Sequence, residues 1–235
     1  MNNKISAMVF AAGLGTRLYP LTADKPKALV EYQGKPLIEY VLQKIIDAGI
    51  QHIVVNVHHF PDLIINYLKE HPHKAEIEIS DERDYLRDTG GGLKFAAPLL
   101  ADSEHILLHN VDILSDIDLR QLIAYHEKYE TLATLAVRQR ETSRYFLFDG
   151  DMNLCGWRNN KTGEEIHSKA VDTCAPYAFS GIHVVSHELI NLISSAEKQS
   201  ITPIYVDLAR NHNLKGYMHN EGYWKDMGKI EDFNS

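Results

Sequence analysis

Apolar positions along the chain fall into two periodicities, and their order predicts an architecture. Ile5 to Phe10 and His52 to Val57 are short, nearly continuous apolar runs, the pattern of strands buried on both faces. Between them Leu37, Ile38, Val41, Leu42, Ile45 and Ile46 recur at helical spacing and stop at Gly49, which predicts a helix and so a βαβ beginning. Pro61 opens a further helix through Lys69, because proline fits the first helical turn, where its missing N–H is not needed. Ala75, Ile77 and Ile79 alternate like a strand, Gly92 to Leu100 fits a helix after a glycine turn, and His105 to His109 is another apolar strand.

From about Thr131 strands dominate: Leu132 to Val137, Tyr145 to Phe148 before the turn Asp149-Gly150-Asp151, then Ala178 to Val185. Two helices interrupt them, one capped by Ser186 and running from His187 to about Ala196, the other opened by Thr202 and Pro203 and running through Arg210. Such alternation implies an α/β fold, a mostly parallel sheet flanked by helices with ligands at the carboxyl ends of its strands. No repeat, low-complexity tract or linker divides the 235 residues. The expectation is one domain over 1–235, with a first half to about residue 130 and a strand-rich second half from about 131.

Charge and cysteine content narrow the partners. Lys plus Arg is 24 against Asp plus Glu 32, a net charge of −8, which argues against a nucleic-acid or anionic-membrane surface. Cys155 and Cys174 are too few for a disulfide framework, sit in no metal-ligand spacing, and point to a reducing cytoplasm. Lys4 with the apolar Ile5 to Ala12 has the look of a signal peptide, but the run is short and ends in a glycine turn. No later apolar run approaches the ~20 residues needed to cross a bilayer.

That glycine turn carries the chemistry. Residues 13 to 27 read Gly-Leu-Gly-Thr-Arg-Leu-Tyr-Pro-Leu-Thr-Ala-Asp-Lys-Pro-Lys, directly behind the first strand. Gly13 and Gly15 leave no Cβ to block an anion, so the amides from Ala12 through Leu14 to Thr16 can converge on phosphate oxygens. Arg17 adds a planar fork of donors and Lys27 a compact point charge. A lone Gly-x-Gly would more often be a surface turn. Here Leu18 stands where a dinucleotide fingerprint has its third glycine, and nothing matches Gly-x-x-x-x-Gly-Lys-Ser/Thr. The segment resembles instead the signature of the sugar-1-phosphate nucleotidyltransferases, or nucleoside-diphosphate-sugar pyrophosphorylases: Gly-x-Gly-Thr-Arg-Leu-x-Pro-Leu-Thr is matched at every fixed position and is followed by Pro26-Lys27.

The resemblance implies a Rossmann-like sheet of the nucleotide-diphospho-sugar transferase type, a single domain with a nucleotide-binding first half and a strand-rich acceptor half. It implies two substrates, a nucleoside triphosphate and a sugar 1-phosphate, an Mg²⁺ cofactor, and a monomer or small homo-oligomer. Asp112, just after the strand 105–109, is then a metal ligand, with Asn110 beside it on the sugar-phosphate side, although Val111 replaces the family's usual glycine. Asp226 in Tyr-Trp-Lys-Asp-Met-Gly, residues 223 to 228, is similar to the family's Trp-x-Asp-x-Gly and supplies the second carboxylate. Without that pairing, Asp112 would be a turn cap, Asp226 a solvated charge and Trp224 a packing residue.

Asp88-Thr89-Gly90-Gly91-Gly92 reads locally as a flexible loop at a helix start. It resembles the family's base-recognition loop, which makes Thr89, Gly90 and Gly91 nucleotide-binding candidates, with Asn56 at the end of its strand a further one. The triple glycine looks most like the uridylyltransferases acting on N-acetylmuramic acid 1-phosphate; guanylyltransferases for mannose or heptose phosphate carry related loops. Phe179-Ser180-Gly181-Ile182 resembles the segment that sets a glycine against the sugar, so Ser180 and Gly181 are acceptor candidates; locally it is a strand with a bulge at Gly181. Arg144 and Arg158 offer contacts for an acceptor phosphate or a lactyl carboxylate, and equally could be solvated surface groups. The Glu-Lys pair that the family often uses in this region has no clean counterpart among Lys161, Glu164, Glu165 and Lys169. The chain ends at Ser235, soon after the Asp226 motif, which implies none of the left-handed β-helix tail of some relatives.

The mechanism implied is attack of the sugar-phosphate oxygen on the α-phosphorus with departure of pyrophosphate. The attacking group is already an anion, so no general base is required; the task is to bring two polyanions together. Arg17 and the loop amides would hold the leaving phosphates and Lys27 the α-phosphate. Two other readings remain. A glycosyltransferase could use Asp116-Ile117-Asp118 as a metal motif, yet helix capping ahead of Leu119, Leu122 and Ile123 explains those acids. A non-catalytic nucleotide-binding homologue is the other, and Val111 is the feature pointing to it. His58 and His59 make no metal site, because adjacent strand residues point to opposite faces.

Overall fold

The computed structural model describes residues 4–169 and 173–233; the outermost ends of the domain expected over 1–235 lie outside them. Fourteen strands and six α-helices follow in order among these residues. The first half contains β1 (Ile5–Phe10), the hairpin β2 (Glu31–Tyr32) and β3 (Lys35–Pro36), α1 (Leu37–Asp47), β4 (His52–Val57), α2 (Pro61–Glu70), β5 (Glu76–Asp81), α3 (Asp88–Phe95), β6 (His105–Asn110), β7 (Ile113–Ser115) and α4 (Leu119–Lys128). The second contains β8 (Ala133–Arg138), β9 (Arg144–Phe148), β10 (Leu154–Asn159), β11 (Glu164–His167), β12 (Ala175–Ser186), α5 (His187–Leu192), α6 (Ile201–Leu208), β13 (Leu214–Met218) and β14 (Trp224–Asp226).

One large mixed sheet runs β11-β10-β9-β12-β6-β1-β4-β5, with β8 also on β12 and β13 on β8. Strands β6, β1, β4 and β5 are parallel neighbours, whereas β12 pairs antiparallel with β6, β8 and β9. The expected parallel sheet is thus the first half of a mixed one. Its central strands read as continuous apolar runs because both faces are covered. Ala7 and Val9 pack with Ile38, Val41, Leu42 and Ile45 of α1, Ile64 of α2 and Leu122 of α4. Met8 and Phe10 face Leu93 of α3, Leu189 of α5 and Tyr205 of α6. Period-2 alternation in β1 therefore divides two cores.

Three local expectations are corrected. The glycines 90 to 92 do not precede a helix; they lie inside α3, which begins at Asp88 and gives way to a 3₁₀ turn over Ala97–Leu100. They tolerate the helix because no Cβ could fit: one added at Gly91 would stand 2.2 Å from the Glu197 carbonyl oxygen, and one at Gly90 2.6 Å from Ile204 Cδ1. The helix expected over 187–196 ends at Leu192, and the Ser186 hydroxyl bonds the Thr131 carbonyl at 2.9 Å rather than capping α5. Asp118 does cap α4, accepting from the amides of Arg120 and Gln121.

Candidate active site

The carboxyl edge of β1, β4 and β6 is where the glycine turn, Asn56, Asn110 and Asp112 meet. The turn leaves β1 at Phe10 and passes through Gly15, whose φ of +64° is left-handed. A Cβ there would meet Thr22 Cγ2 at 2.9 Å, and the Thr22 hydroxyl donates to the Gly15 carbonyl at 3.0 Å, so the loop is folded back on itself. Gly13 is open: an added Cβ would find nothing within 4 Å. The amides of Gly13 and Leu14 meet no acceptor among the described residues, and Gly13, Leu14, Thr16 and Arg17 are exposed. They line a cavity of about 310 Å³ with Lys27, Asp112 and Gly228.

A second cavity, of about 360 Å³, shares Gly13, Lys27 and Asp112 with the first and extends between Ala12, Asn56, Asn110 and the α3 start at Asp88 and Thr89. Asn56 lines it with both ends of its amide engaged. Its Oδ1 accepts from the amides of Ala11 and Ala12 at 2.7 and 3.2 Å, and its Nδ2 donates to Glu82 Oε1 at 2.8 Å. Asn56 therefore shapes the loop from below, and the Ala12 amide is not a free donor. Burial holds the Glu82 carboxyl above the usual range. Gly90 and Gly91 sit behind the wall, their amides bonded to the Gln199 carbonyl at 2.9 and 3.2 Å; the cavity is lined by Thr89, Asp88 and Lys198.

Lys27, only 8% exposed, is paired directly with Asp112. Asp226 is brought beside them by backbone pairing. Strand β14 runs antiparallel to β7, with Asp226 opposite Ile113, and the Met227 amide donates to the Asp112 carbonyl at 2.8 Å. A Cβ added at Gly228 would lie 2.7 Å from Asp226 Oδ1 and 3.0 Å from Arg17 Nη2, so both side chains fold over that one glycine. Burial, reinforced by Asp112, pushes the Asp226 carboxyl up, while Lys27 and Arg17 oppose the shift. Asp226 Oδ1 is buried with no hydrogen-bond partner among the described residues. Val111 is packed in the core, its amide on the Phe10 carbonyl at 3.2 Å, and it also lines the second cavity beside Asp112.

Beside Asn110 a glycine is required at position 181. Its φ is +74°, and a Cβ would stand 2.9 Å from Asn110 Nδ2 and 2.7 Å from Ile113 Cγ1. The strand bulges here, its register with β8 shifting between Phe179 and His183. Ser180 is fully buried, its hydroxyl 2.7 Å from His219 Nε2 and its carbonyl receiving Trp224 Nε1–H at 3.0 Å, so it braces the segment. Arg144 is exposed at the start of β9, and Arg158 lies over the Tyr145 ring at 5.7 Å. A further cation that the structure brings toward Asp226 is Arg140, which sequence reasoning missed. It stacks on Trp224 at 4.3 Å and feels the field of Asp226.

Residues 6–235 match the nucleotidyl transferase family. The chain belongs to that family. It is 33% identical over 231 residues to N-acetylmuramate alpha-1-phosphate uridylyltransferase of Caulobacter vibrioides, covering 94% of this chain and 91% of that protein. To the mannose-1-phosphate guanyltransferase of Aspergillus oryzae it is 29% identical, over 98% of this chain but only 63% of the relative. The fold is similar to that of UDP-glucose pyrophosphorylase of Acinetobacter baumanii, with a TM-score of 0.80 and 17% identity over 98% of this chain and 91% of the other. The loop at Gly13 to Arg17 follows the carboxyl end of β1. No helix among the described residues is long and apolar enough to cross a membrane.

Proposed function

We propose that this nucleotidyl transferase joins UTP to N-acetylmuramic acid 1-phosphate, releasing pyrophosphate. The observation that carries the reading is the convergence of the open amides at Gly13 and Leu14 with Arg17, the Lys27–Asp112 pair and Asp226. Loop amides and Arg17 grip the terminal phosphates, and Lys27, which lines both cavities, attends the α-phosphate. Base and ribose occupy the cavity between Asn56 and Thr89, while the sugar rests against Gly181 and Asn110. The acceptor phosphate is an anion already, so the chain supplies position and charge and no proton acceptor.

The donors at Asp112 and Asp226 fit Mg²⁺: two hard carboxylates side by side, one with a buried oxygen that has no partner, and a mutual repulsion that a dication relieves. Mg²⁺ held by Asp112 and Asp226 would supply charge neutralisation to the phosphates. The uridylyl and muramic acid assignments rest on the relative matched nearly end to end, in contrast to the guanyltransferase, of which this chain spans 63%. The free thiols of Cys155 and Cys174 suit a reducing cytoplasm. A matrix of four nucleoside triphosphates against a panel of sugar 1-phosphates, scored by Mg²⁺-dependent pyrophosphate release, tests the reading. Fastest turnover is expected for UTP with N-acetylmuramic acid 1-phosphate; faster turnover of GTP with mannose 1-phosphate overturns the substrate assignment and leaves nucleotidyl transfer standing.

A further inference from the structure

Arg140 follows the end of β8, in a half-buried position where a guanidinium is costly unless it is used. No carboxylate forms an ion pair with it among the described residues. One nitrogen, Nη2, donates to the Phe179 carbonyl at 3.0 Å, and Nη1 only grazes the Glu141 carbonyl at 3.5 Å. Nε is buried and has no partner among the described residues. The group is nevertheless fixed in place, its plane held over the Trp224 ring with 4.3 Å between the guanidinium carbon and the ring centre. A rigid cation with unfilled donors is a receptor for an anion.

Its position says which anion. Trp224 and Asp226 are two apart on β14 and so project from the same face of the strand. Arg140 on Trp224 is therefore on the Asp226 side, while Arg17 reaches Asp226 from the opposite end, over Gly228. The Phe179 carbonyl that Arg140 binds is the link before Ser180 and Gly181, and the same Trp224 donates to the Ser180 carbonyl, so Arg140 belongs to the wall against Asn110. In-line substitution at phosphorus puts the attacking and departing oxygens on opposite sides. With Arg17 and the glycine loop on the departing side, the other flank of the carboxylate pair needs a cation for the attacking group.

We infer that Arg140 binds the phosphate of the acceptor sugar 1-phosphate, the Nη hydrogens not spent on the Phe179 and Glu141 carbonyls meeting the phosphate oxygens and its stack on Trp224 setting their direction. Arg144 and Arg158, at the outer end of β9 and on β10, are then outside this contact. The inference rests on the nucleotidyl-transfer reading, so wild-type pyrophosphate release is measured first; its absence with every substrate pair defeats that reading. Given a working wild type, Arg140→Met keeps the stem on Trp224 and removes the donors. It is expected to raise the KM for the sugar 1-phosphate about 10- to 100-fold, the loss of charged hydrogen bonds, with the KM for the nucleoside triphosphate changed less than about twofold. Arg140→Lys, which keeps the charge and loses the planar fork, should raise the same KM at least about threefold. If Arg140→Met does not fold, as judged by circular dichroism, Arg140→Lys decides alone. An unchanged KM for the sugar 1-phosphate in the folded variant, or an equal rise for both substrates, overturns the inference while the functional reading stands.

Discussion

Lys27 is ion-paired with Asp112, so the cation expected to serve the α-phosphate neutralises a carboxylate expected to hold the metal. The pair keeps a nearly buried ammonium from lying unpaired, and it makes Lys27 and a dication rivals for the same oxygen. Lys27→Met should therefore separate two effects. Mn²⁺ binding to the nucleotide-free protein, followed by electron paramagnetic resonance, should tighten several-fold, while turnover falls by about two orders of magnitude through loss of a preorganised charge. Unaltered Mn²⁺ affinity together with near-normal turnover would contradict both roles.

The other carboxylate carries the opposite balance. Burial and Asp112 hold the Asp226 pKa above that of an unfolded aspartate, so its ionised form costs folding energy at neutral pH, and that cost is relieved as pH falls through the raised value. Asp226→Asn should raise the melting temperature of the metal-free protein at pH 7 and abolish Mg²⁺-dependent activity. A lower melting temperature, or full activity, would show that the carboxylate is structural.

Acid stability is governed by other groups. Burial holds His109 near 4 and His126 and His183 near 3, against 6.5 for an exposed imidazole. A lowered histidine pKa leaves stability intact above the unfolded value and withdraws it below, because only the unfolded chain then takes up the proton. Each imidazole should remove roughly 2 kcal/mol by pH 5. Thermal unfolding should accordingly be flat from pH 8 to 7 and fall steeply from 6.5 to 5. A melting temperature independent of pH across that window would contradict the buried neutral assignment.

Two glycines should behave differently. Gly91→Ala drives a methyl into the Glu197 carbonyl and should destabilise by about 1–3 kcal/mol. Gly13→Ala meets nothing in the protein, so stability should hold while the KM for the nucleoside triphosphate rises at least several-fold, the methyl now standing in the anion cradle. Equal melting temperatures for Gly91→Ala and the wild type, or an unaltered KM for Gly13→Ala, would refute the respective role.

What was legible in the sequence depended on range. Strands β1 and β4 were readable to the residue, since burial on both faces leaves a short, nearly continuous apolar run. The loop from Gly13 to Lys27 was readable because one contiguous segment must supply amides, fork and ammonium together. Pairings made across long separations were not. Strands β13 and β14 carry little periodicity, and the meeting of Asp226 with Asp112 depends on β14 finding β7. The glycines of α3 were misread as a loop because their reason is the backbone of residues 196 to 199, which no local pattern reveals. Arg140 was passed over for Arg144 and Arg158 for the same cause: its stack on Trp224 and its bond to Phe179 exist only in the fold.

The most direct measurement follows the phosphorus itself. Phosphorus-31 nuclear magnetic resonance of the protein with UTP, N-acetylmuramic acid 1-phosphate and Mg²⁺ should show the sugar monophosphate signal giving way to the paired doublets of a diphosphate diester, with pyrophosphate appearing in equal amount. Uridine diphosphate with inorganic phosphate as the products, or a spectrum unchanged with every triphosphate and sugar phosphate supplied, would contradict transfer at the α-phosphorus.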